Sequence, residues 1–154
     1  MGASFNALSS DALRVLEHPS WFRFGQIELD EMLISDEIIT LGAFSDDNEL
    51  MAVSGLFFDE RKCSDIIKKL NLKGKVAEIG GCMVSPKFRG NKLMYTIALE
   101  LVELARKSSC KHIVATAHPD NLASTKSLEK LGMKNMLTMM KGEGYLRNIY
   151  LLDL

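Results

Sequence analysis

The apolar positions between residues 93 and 105 recur at the spacing of one face of an α-helix. Leu93, Ile97, Leu101 and Leu104 are three or four residues apart, as expected when one side of a helix packs against a core. Neighbouring apolar residues widen this face: Met94, Ala98, Val102 and Ala105. The pattern predicts a long amphipathic helix.

Several shorter apolar runs predict β-strands. Glu37–Phe44 and Leu50–Phe58 are separated by a short polar stretch of turn residues, which indicates a hairpin. Further strands are predicted at Lys75–Val84, Lys111–Ala117, Met133–Met140 and Tyr145–Leu152, with the last two forming a hairpin around residues 141–144.

Two more helices are predicted in the central and C-terminal parts of the chain. Residues 59–74 have the period of an amphipathic helix, with an apolar side made by Ile66, Ile67 and Leu70. Residues from about Asn121 to Leu131 precede Gly132, a good residue for ending a helix.

The first 35 residues have a weaker pattern. Residues 3–8 predict a short first strand, after which Ser10 or Asp11 caps a helix that runs through Glu17 and ends near Pro19. Residues 18–35 are ambiguous, although their apolar residues allow a second short helix: Ile27, Leu29, Met32 and Leu33.

The order of these elements predicts the fold class. Strands come first, followed by strand–helix–strand–helix–strand and a closing strand, which indicates a mixed α/β (α+β) layer with a partly antiparallel sheet. The chain has 154 residues, without repeats or linker-like segments. We therefore expect one domain spanning residues 1–154.

Composition narrows the classes of function. The formal net charge is -1, whereas a general nucleic-acid binder usually has a clear basic excess. Cys63, Cys82 and Cys110 are widely spaced and odd in number, which favours reduced thiols over a disulfide framework or a metal site. The start of the chain lacks the pattern of a signal peptide, and no apolar run approaches the ~20 residues of a membrane span. We expect a cytoplasmic protein with neither nucleic-acid nor membrane partners.

The segment Val84–Met94 is the first candidate for chemistry. It joins a predicted strand to the strongest helix, so unpaired backbone N–H groups and the positive end of the helix dipole meet there. Gly90 permits a close approach of a phosphate, and basic side chains surround it: Lys87, Arg89 and Lys92. The segment is either an anion site for a pyrophosphate or a tight turn with a solvated basic surface.

This segment resembles the acetyl-CoA loop of the GNAT N-acetyltransferase family, Val-x-Pro-x-(Tyr/Phe)-Arg-Gly-x-Gly-(Ile/Leu)-Gly. The matching residues are Val84, Pro86, Phe88, Arg89, Gly90 and Leu93. Lys92 and Met94 stand where the family usually has glycine. The resemblance implies a GNAT-type acyl-CoA N-acyltransferase fold, a mixed central sheet flanked by helices, and acetyl-CoA (coenzyme A) as cofactor. It implies binding through Arg89, Gly90, Asn91, Lys92, Leu93 and Met94.

A second segment supports the resemblance. Residues 118–121 and 127–133 are similar to the family pattern Asn-x-x-(Ala/Ser)-x-x-x-(Tyr/Leu)-Glu-Lys-Leu-Gly-Phe. Asn121 stands where the family's asparagine reaches the cofactor, and it is also a suitable helix N-cap. Lys130 belongs to the same pattern, and the resemblance implies a cofactor contact for it as well.

The resemblance further implies a V-shaped opening between the strands Lys75–Val84 and Lys111–Ala117. The pantetheine arm would bond to the backbone near Cys82, Met83 and Val84. Gly80 and Gly81 are unexpected inside a strand, unless a bulge opens the sheet there or the strand is merely flexible.

Candidates for acid–base chemistry are few. Glu78 is the only carboxylate in the central strand and our candidate general base. It shares strand parity with Gly80, Cys82 and Val84, which places them on one face of a regular strand; the alternative is a surface glutamate. The family's usual general-acid tyrosine falls at Leu128, so Tyr145 or Tyr95 would have to substitute. Other candidates have simpler roles: His118 in a turn, Cys82 as an inert buried thiol, and Met136, Met139 and Met140 in the core.

Three functions are compatible with these features. The first is an N-acetyltransferase that acts by direct attack of a primary amine of a small molecule or peptide. The second is an acyl-CoA-binding module with weak or no catalysis, suggested by Leu128 and the missing glycines. The third is a nucleotide-binding module that uses only residues 89–92. Residues 18–36 and 136–146 would line the acceptor pocket but have no recognisable signature. The sequence is also compatible with a homodimer.

Overall fold

A computed structural model of the chain describes residues 2–15, 18–142 and 144–154. Within them a six-stranded mixed sheet has the order β1-β2-β3-β4-β6-β5, in which only β3 and β4 are parallel. The strands are β1 (Ile38–Phe44), β2 (Leu50–Phe57), β3 (Val76–Val84), β4 (His112–Ala117), β5 (Lys134–Met140) and β6 (Leu146–Asp153). The predicted fold class, a mixed sheet flanked by helices, is confirmed.

Five α-helices accompany the sheet in the described part of the chain. They are α1 (Gly2–Arg14), α2 (Gln26–Ile34), α3 (Ser64–Lys69), α4 (Leu93–Lys107) and α5 (Leu122–Lys130). Short 3₁₀ turns lie at Pro19–Trp21, Glu60–Cys63 and Pro86–Phe88. No helix among the described residues has the length and apolar character needed to cross a membrane.

The N-terminal prediction was wrong. Residues 3–8 belong to α1 and not to a strand, and Ser10 and Asp11 lie inside this helix. Phe5, Leu8 and Ala12 are buried at helical spacing, a period too long for a six-residue window to display. Glu17, the predicted end of the helix, lies outside the described residues. The second short helix allowed by residues 18–35 is present as α2.

The helices cover the two faces of the sheet unequally. α4 packs on one face, where Leu101 and Ala105 are buried against Leu56 of β2. α1 and α2 cover part of the opposite face, where Met32 is buried with Phe57. The two apolar clusters hold β3 between them, so side chains on either face of this strand are close to a helix.

β3 and β4 separate along their length. Their parallel pairing runs from Val76↔His112 to Ile79↔Ala115 and then ends, although both strands continue. The opening implied by the resemblance is therefore present. The predicted bulge is present too, because two residues of β3, Gly81 and Cys82, face the single residue Ser54 of β2. Gly81 has φ +61°, which favours glycine.

The bulge overturns the predicted side-chain parity of β3. A Cβ at Gly80 would meet Phe24 and Phe57, and a Cβ at Gly81 would meet Met32 of α2 and Phe24, so both residues lie on the face of the sheet that α2 covers. Beyond them Met83 packs in the α1–α2 cluster, whereas Val84 packs against the α4 cluster. Glu78 therefore shares a face with Gly80 but not with Val84, because the extra residue shifts the alternation by one position.

Candidate active site

A cleft passes through the opening between β3 and β4. It consists of two cavities of about 360 Å³ and about 730 Å³. Both are lined by the same six residues where they meet: Trp21, Phe22, Cys82, Met94, Asn121 and Ser124. We call the smaller cavity, which contains Glu78, the acceptor half, and the larger one, which contains residues 88–94, the loop half.

The loop half is shaped by two residues with left-handed backbone. Gly90 has φ +83° with open space where a Cβ would stand, and Lys92 has φ +58°. Asn91 stabilises the turn through its side chain, whose Nδ2 donates to the carbonyl of Phe88 at 2.9 Å. The chain can therefore turn sharply from the 3₁₀ turn after β3 into α4.

This turn leaves several N–H groups available to a ligand. The first backbone bond of α4 runs from the N–H of Thr96 to the carbonyl of Lys92, so the three preceding N–H groups have no intrahelical partner. Among the described residues, the N–H groups of Gly90, Asn91 and Lys92 also donate to no protein atom. Such a group of N–H donors at a helix N-terminus suits an anion.

The basic side chains of this turn do not all face the cleft. Arg89 and Lys92 line the loop half. Lys87 instead bonds Glu49 at 2.7 Å and lies over the ring of Phe88. Of the three cations expected around the anion site, Arg89 and Lys92 are therefore there and Lys87 is not.

The loop half also contains the residues expected to contact the pantetheine arm. Cys82, Met83 and Val84 of β3 line it together with Leu93 and Met94. Burial raises the pKa of the Cys82 thiol to about 12, against the weaker effect of a hydrogen bond with Ser54. The thiol is neutral at physiological pH and is a poor nucleophile.

Of the two cofactor contacts predicted in the second sequence segment, Asn121 lines the cleft and Lys130 does not. Asn121 lines both halves, and its Oδ1 caps α5 by accepting the N–H of Ser124 at 3.3 Å. Its side-chain NH₂ group donates to none of the described residues and could therefore bind a ligand. Lys130 lies outside the residues that line the cleft, with its Nζ 4.5 Å from the centroid of the Tyr95 ring.

Glu78 lies on β3 in the wall of the acceptor half, where it is half-buried. Burial raises its pKa to about 7, although the nearby charges of Lys141, Arg23 and Lys62 lower it. A carboxylate with such a pKa can accept a proton near neutral pH. The structure thus places the predicted base on the opposite side of the opening from the loop half.

The structure does not bring the candidate acids into the cleft. Tyr145 lies outside the lining residues, with the guanidinium carbons of Arg147 and Arg23 at 5.5 Å and 5.8 Å from its ring centroid. Leu128 occupies the position of the family's tyrosine, is 3% exposed and supplies only apolar surface to the cleft.

The acceptor half has an aromatic wall that the sequence analysis did not identify. Trp21, Phe22 and Phe24 come from the irregular segment between α1 and α2, and Arg23 lies among them. Trp21 also stacks on His118, with ring centroids 5.9 Å apart. The only signal in the sequence was the density of aromatic residues at 21–24, in the region expected to line an acceptor pocket.

Comparisons with known proteins identify relatives of this arrangement. The family model described as "Acetyltransferase (GNAT) family" matches residues 6–133. The structure of Arabidopsis thaliana NAA60 with acetyl-CoA has a TM-score of 0.74 and 11% identity, covering 99% of this chain and 94% of that one.

Two bacterial structures are also similar. An N-acetyltransferase from Staphylococcus aureus Mu50 has a TM-score of 0.71 and 16% identity, over 98% of this chain and 91% of that one. A putative acetyltransferase from Acinetobacter baylyi ADP1 has a TM-score of 0.69 and 16% identity, over 98% of this chain and 86% of that one. At these identities the structures show a shared fold. No curated protein matches the sequence significantly.

Proposed function

Because this chain belongs to the GNAT family of acetyltransferases, we propose that it moves an acetyl group from acetyl-CoA to a primary amine by direct attack. The acceptor is a small molecule or a peptide, and residues 1–154 act as one catalytic domain. The continuous cleft carries this proposal, since it joins an anion-binding turn to a carboxylate with a pKa of about 7.

Acetyl-CoA would occupy the loop half. The free N–H groups of residues 90–92, with Arg89 and Lys92, would hold the pyrophosphate. The pantetheine arm would lie along residues 82–84, with Leu93, Met94 and Asn121 around it. NAA60, which has the same fold, was solved with acetyl-CoA, which supports this cofactor. We assign Lys130 no direct contact.

Glu78 would remove the proton that blocks the attack. A protonated amine has no free electron pair, and a lysine-like amine has a pKa of about 10.4. Once the Glu78 carboxylate takes this proton, the nitrogen attacks the thioester carbon and forms a tetrahedral intermediate. A backbone N–H of β3 beyond Ile79, where pairing with β4 has ended, would stabilise the oxyanion.

Collapse of this intermediate breaks the carbon–sulfur bond and releases coenzyme A as a thiolate, while the nitrogen, which is positively charged after the attack, gives its second proton to water and becomes the neutral amide. A thiol has a pKa of about 8.5, so the thiolate can take its proton from water. The reaction therefore does not require Tyr145, our candidate acid, to reach the sulfur.

A specific observation favours the second candidate, an acyl-CoA-binding module with weak catalysis. Leu128 stands at the usual position of the acid and has no proton to donate. If proton transfer to sulfur limits the rate, this substitution leaves a site that binds its cofactor and turns over slowly.

The test is a turnover assay with a broad panel of amines. We expect coenzyme A release that depends on both the amine and the protein, with the acetylated amine identified by mass spectrometry. Saturable acetyl-CoA binding without product from any amine would favour the binding module. Equal affinity for ATP and coenzyme A would instead favour a nucleotide-binding module.

We also propose that the protein acts in the cytoplasm. Cys63, Cys82 and Cys110 are all free thiols in the structure, as is usual in a reducing compartment.

A further inference from the structure

Two arginines meet at Tyr145 beside the acceptor half. Arg147 comes from β6 and Arg23 from the segment before α2, and each guanidinium group lies within 6 Å of the tyrosine ring centroid. Two like charges on one ring repel each other. Burial, and after it the charge of Arg23, lowers the pKa of Arg147 to about 10. An anion beside this pair would relieve the repulsion.

In the part of the chain that the structure describes, Arg147 has no acidic partner to offset its burial. It is 2% exposed, and its Nη1 and Nη2 donate to the carbonyls of Leu146 at 2.8 Å and Ser20 at 2.6 Å. Within the described residues, neither Arg147 nor Arg23 forms a salt bridge. These carbonyl groups accept hydrogen bonds from the guanidinium group but do not neutralise its positive charge. A buried charge without a counter-ion is costly.

Acidic residues around the acceptor half are already engaged elsewhere. Glu28 accepts the N–H of Gly25 at 2.9 Å, Glu31 pairs with Lys62, and Asp65 pairs with Lys141 at 2.6 Å. Glu78 forms no salt bridge among the described residues, and the reaction requires it for the amine. Among the described residues, the two arginines at Tyr145 are therefore positive charges without an acidic partner, and a ligand can supply one.

The position of Arg23 makes its charge accessible to the acceptor. Its side chain is exposed and lines the acceptor half, which Glu78 also lines. A molecule in this cavity therefore meets a carboxylate and a guanidinium group. The cavity, about 360 Å³, is at the lower end of small-molecule sites.

We propose that the acceptor is a small amine that carries its own carboxylate, with the amine directed to Glu78 and the carboxylate bound by Arg23. Arg147 acts as a positioning residue, because it holds the carbonyl of Ser20 next to the aromatic wall and adds positive charge behind Arg23. The proposal rests on the acetyltransferase function proposed above and names the substrate class of the same site.

The experiment compares acceptors that differ only in this charge. 4-Aminobutyrate is paired with 4-aminobutanamide, and 6-aminohexanoate with 6-aminohexanamide, since in both pairs the amine is far from the altered group. Pentapeptides that begin with Glu or Gln form a third pair, which separates small acceptors from peptides. The measured quantity is kcat/KM for coenzyme A release.

Two variants locate the effect. Arg23→Gln removes the proposed contact, while Arg106→Gln removes an exposed charge on α4 outside the cleft lining. We expect the parent to prefer the small carboxylates. Arg23→Gln should lower kcat/KM for them, relative to the amides, roughly tenfold to a hundredfold, the range for a hydrogen bond to a charged group. Because Arg23 also lowers the pKa of Glu78, any effect on the base is shared by both members of a pair, and the ratio of their kcat/KM values isolates the carboxylate contact. Arg106→Gln should leave both unchanged, and Arg23→Lys should restore part of the preference.

A binding measurement separates this proposal from the acetyltransferase function. With the protein saturated with coenzyme A, calorimetry should give tighter binding of the carboxylates than of the amides, lost in Arg23→Gln. If this is found but no amine is acetylated, the proposed function fails and the carboxylate site stands. Three results would each overturn the proposal. They are equal use and equal binding of the acids and the amides, a preference for the peptides, and a preference for carboxylates that is unchanged in Arg23→Gln.

Discussion

At the scale of single residues, Glu78 has an environment that sets its charge near neutral pH. Burial raises its pKa to about 7, and three nearby cations keep the pKa from rising further: Lys141, Arg23 and Lys62. A base with this pKa combines a substantial ionised fraction with enough basicity to accept a proton. Both properties matter for an amine acceptor.

Replacing Glu78 by Gln should lower turnover without changing acetyl-CoA affinity. Glutamine keeps the shape and loses the base, a change typically worth roughly 10²–10⁴-fold in rate. Calorimetry should show parental acetyl-CoA affinity. Glu28→Gln removes another carboxylate of the acceptor half and should retain turnover. Parental rates in Glu78→Gln would remove this residue from the mechanism.

The pH dependence of turnover follows from the raised pKa of Glu78. Only the deprotonated carboxylate acts as a base, so kcat/KM of the parent should rise with pH through about 7. Glu78→Gln should lack this limb and approach the parent at high pH, where the amine loses its proton to water. A parental profile without a transition near 7 would show that Glu78 does not titrate in the reaction.

Gly90 offers a test of the anion site with a closely matched control. Gly90→Asp places a negative charge in the loop half and should weaken acetyl-CoA binding at least tenfold, because the charge repels the pyrophosphate. Gly142 also has a left-handed φ, +73°, with open space around its Cβ position. Gly142→Asp should therefore cost similar stability and leave affinity unchanged. Equal affinity in both variants, by calorimetry, would contradict the assignment of the loop.

At the scale of elements, the junction of β3 and α4 combines the proposed cofactor site with backbone strain. Lys92 is the N-cap of α4 and adopts a left-handed conformation, which costs a non-glycine residue roughly 1–2 kcal/mol. This is one of the two positions at which the chain lacks the family's glycine. The strain explains why glycine would suit the position.

Lys92→Gly should stabilise the fold while weakening cofactor binding. Relief of the strain outweighs the roughly 0.5–1 kcal/mol that glycine costs through unfolded-state entropy. The free energy of unfolding, from urea titration, should therefore rise by about 0.5–1 kcal/mol. Lys92→Ala loses the same charge and keeps the strain, so it should weaken binding equally without the gain. No difference in stability between the two variants would contradict this account.

The elements that could be predicted from the sequence are those with a clear period. The bounds of β2, β4 and α4 follow from runs of apolar residues, and Gly80 with Gly81 pointed to the bulge because glycine inside a strand needs a reason. The direction of side chains beyond the bulge could not be predicted. It depends on how many residues face Ser54, which only the pairing with β2 reveals.

The aromatic wall of the acceptor half could not be predicted from the sequence, for a similar reason. Trp21, Phe22, Arg23 and Phe24 form no regular element beyond a short turn, so no period indicates which way each side chain faces. Their position depends on distant contacts, such as the hydrogen bond from Arg147 to Ser20. The loop half was easier to predict because its donors are backbone groups of consecutive residues.

At the scale of the whole molecule, the cleft lies where the sheet is weakest. Four register pairs, Val76↔His112 to Ile79↔Ala115, join β3 to β4, and beyond them the two strands are held apart. A ligand that contacts residues on both sides of the opening would bind only the folded protein. Binding should then stabilise the fold.

We expect acetyl-CoA to raise the thermal midpoint of the protein. At a concentration about 100 times its Kd, the ligand adds roughly 2.7 kcal/mol to the free energy of unfolding. Differential scanning fluorimetry at increasing acetyl-CoA should show the rise, with a smaller one for ATP, which lacks the pantetheine arm. Absence of a shift at millimolar acetyl-CoA would contradict the cofactor assignment and the proposed function with it.

The position of β6 has a consequence for how a growing chain can fold. β6 follows β5 in the sequence but lies between β4 and β5, and all six residues of β4 pair with it. Before β6 has left the ribosome, the meander β1–β2–β3 and its crossover to β4 can assemble, yet β4 presents an open edge. Such an edge recruits strands from other chains. Release of a chain broken off before residue 146 should therefore yield aggregates, and a chaperone would be needed most during the last stage of synthesis.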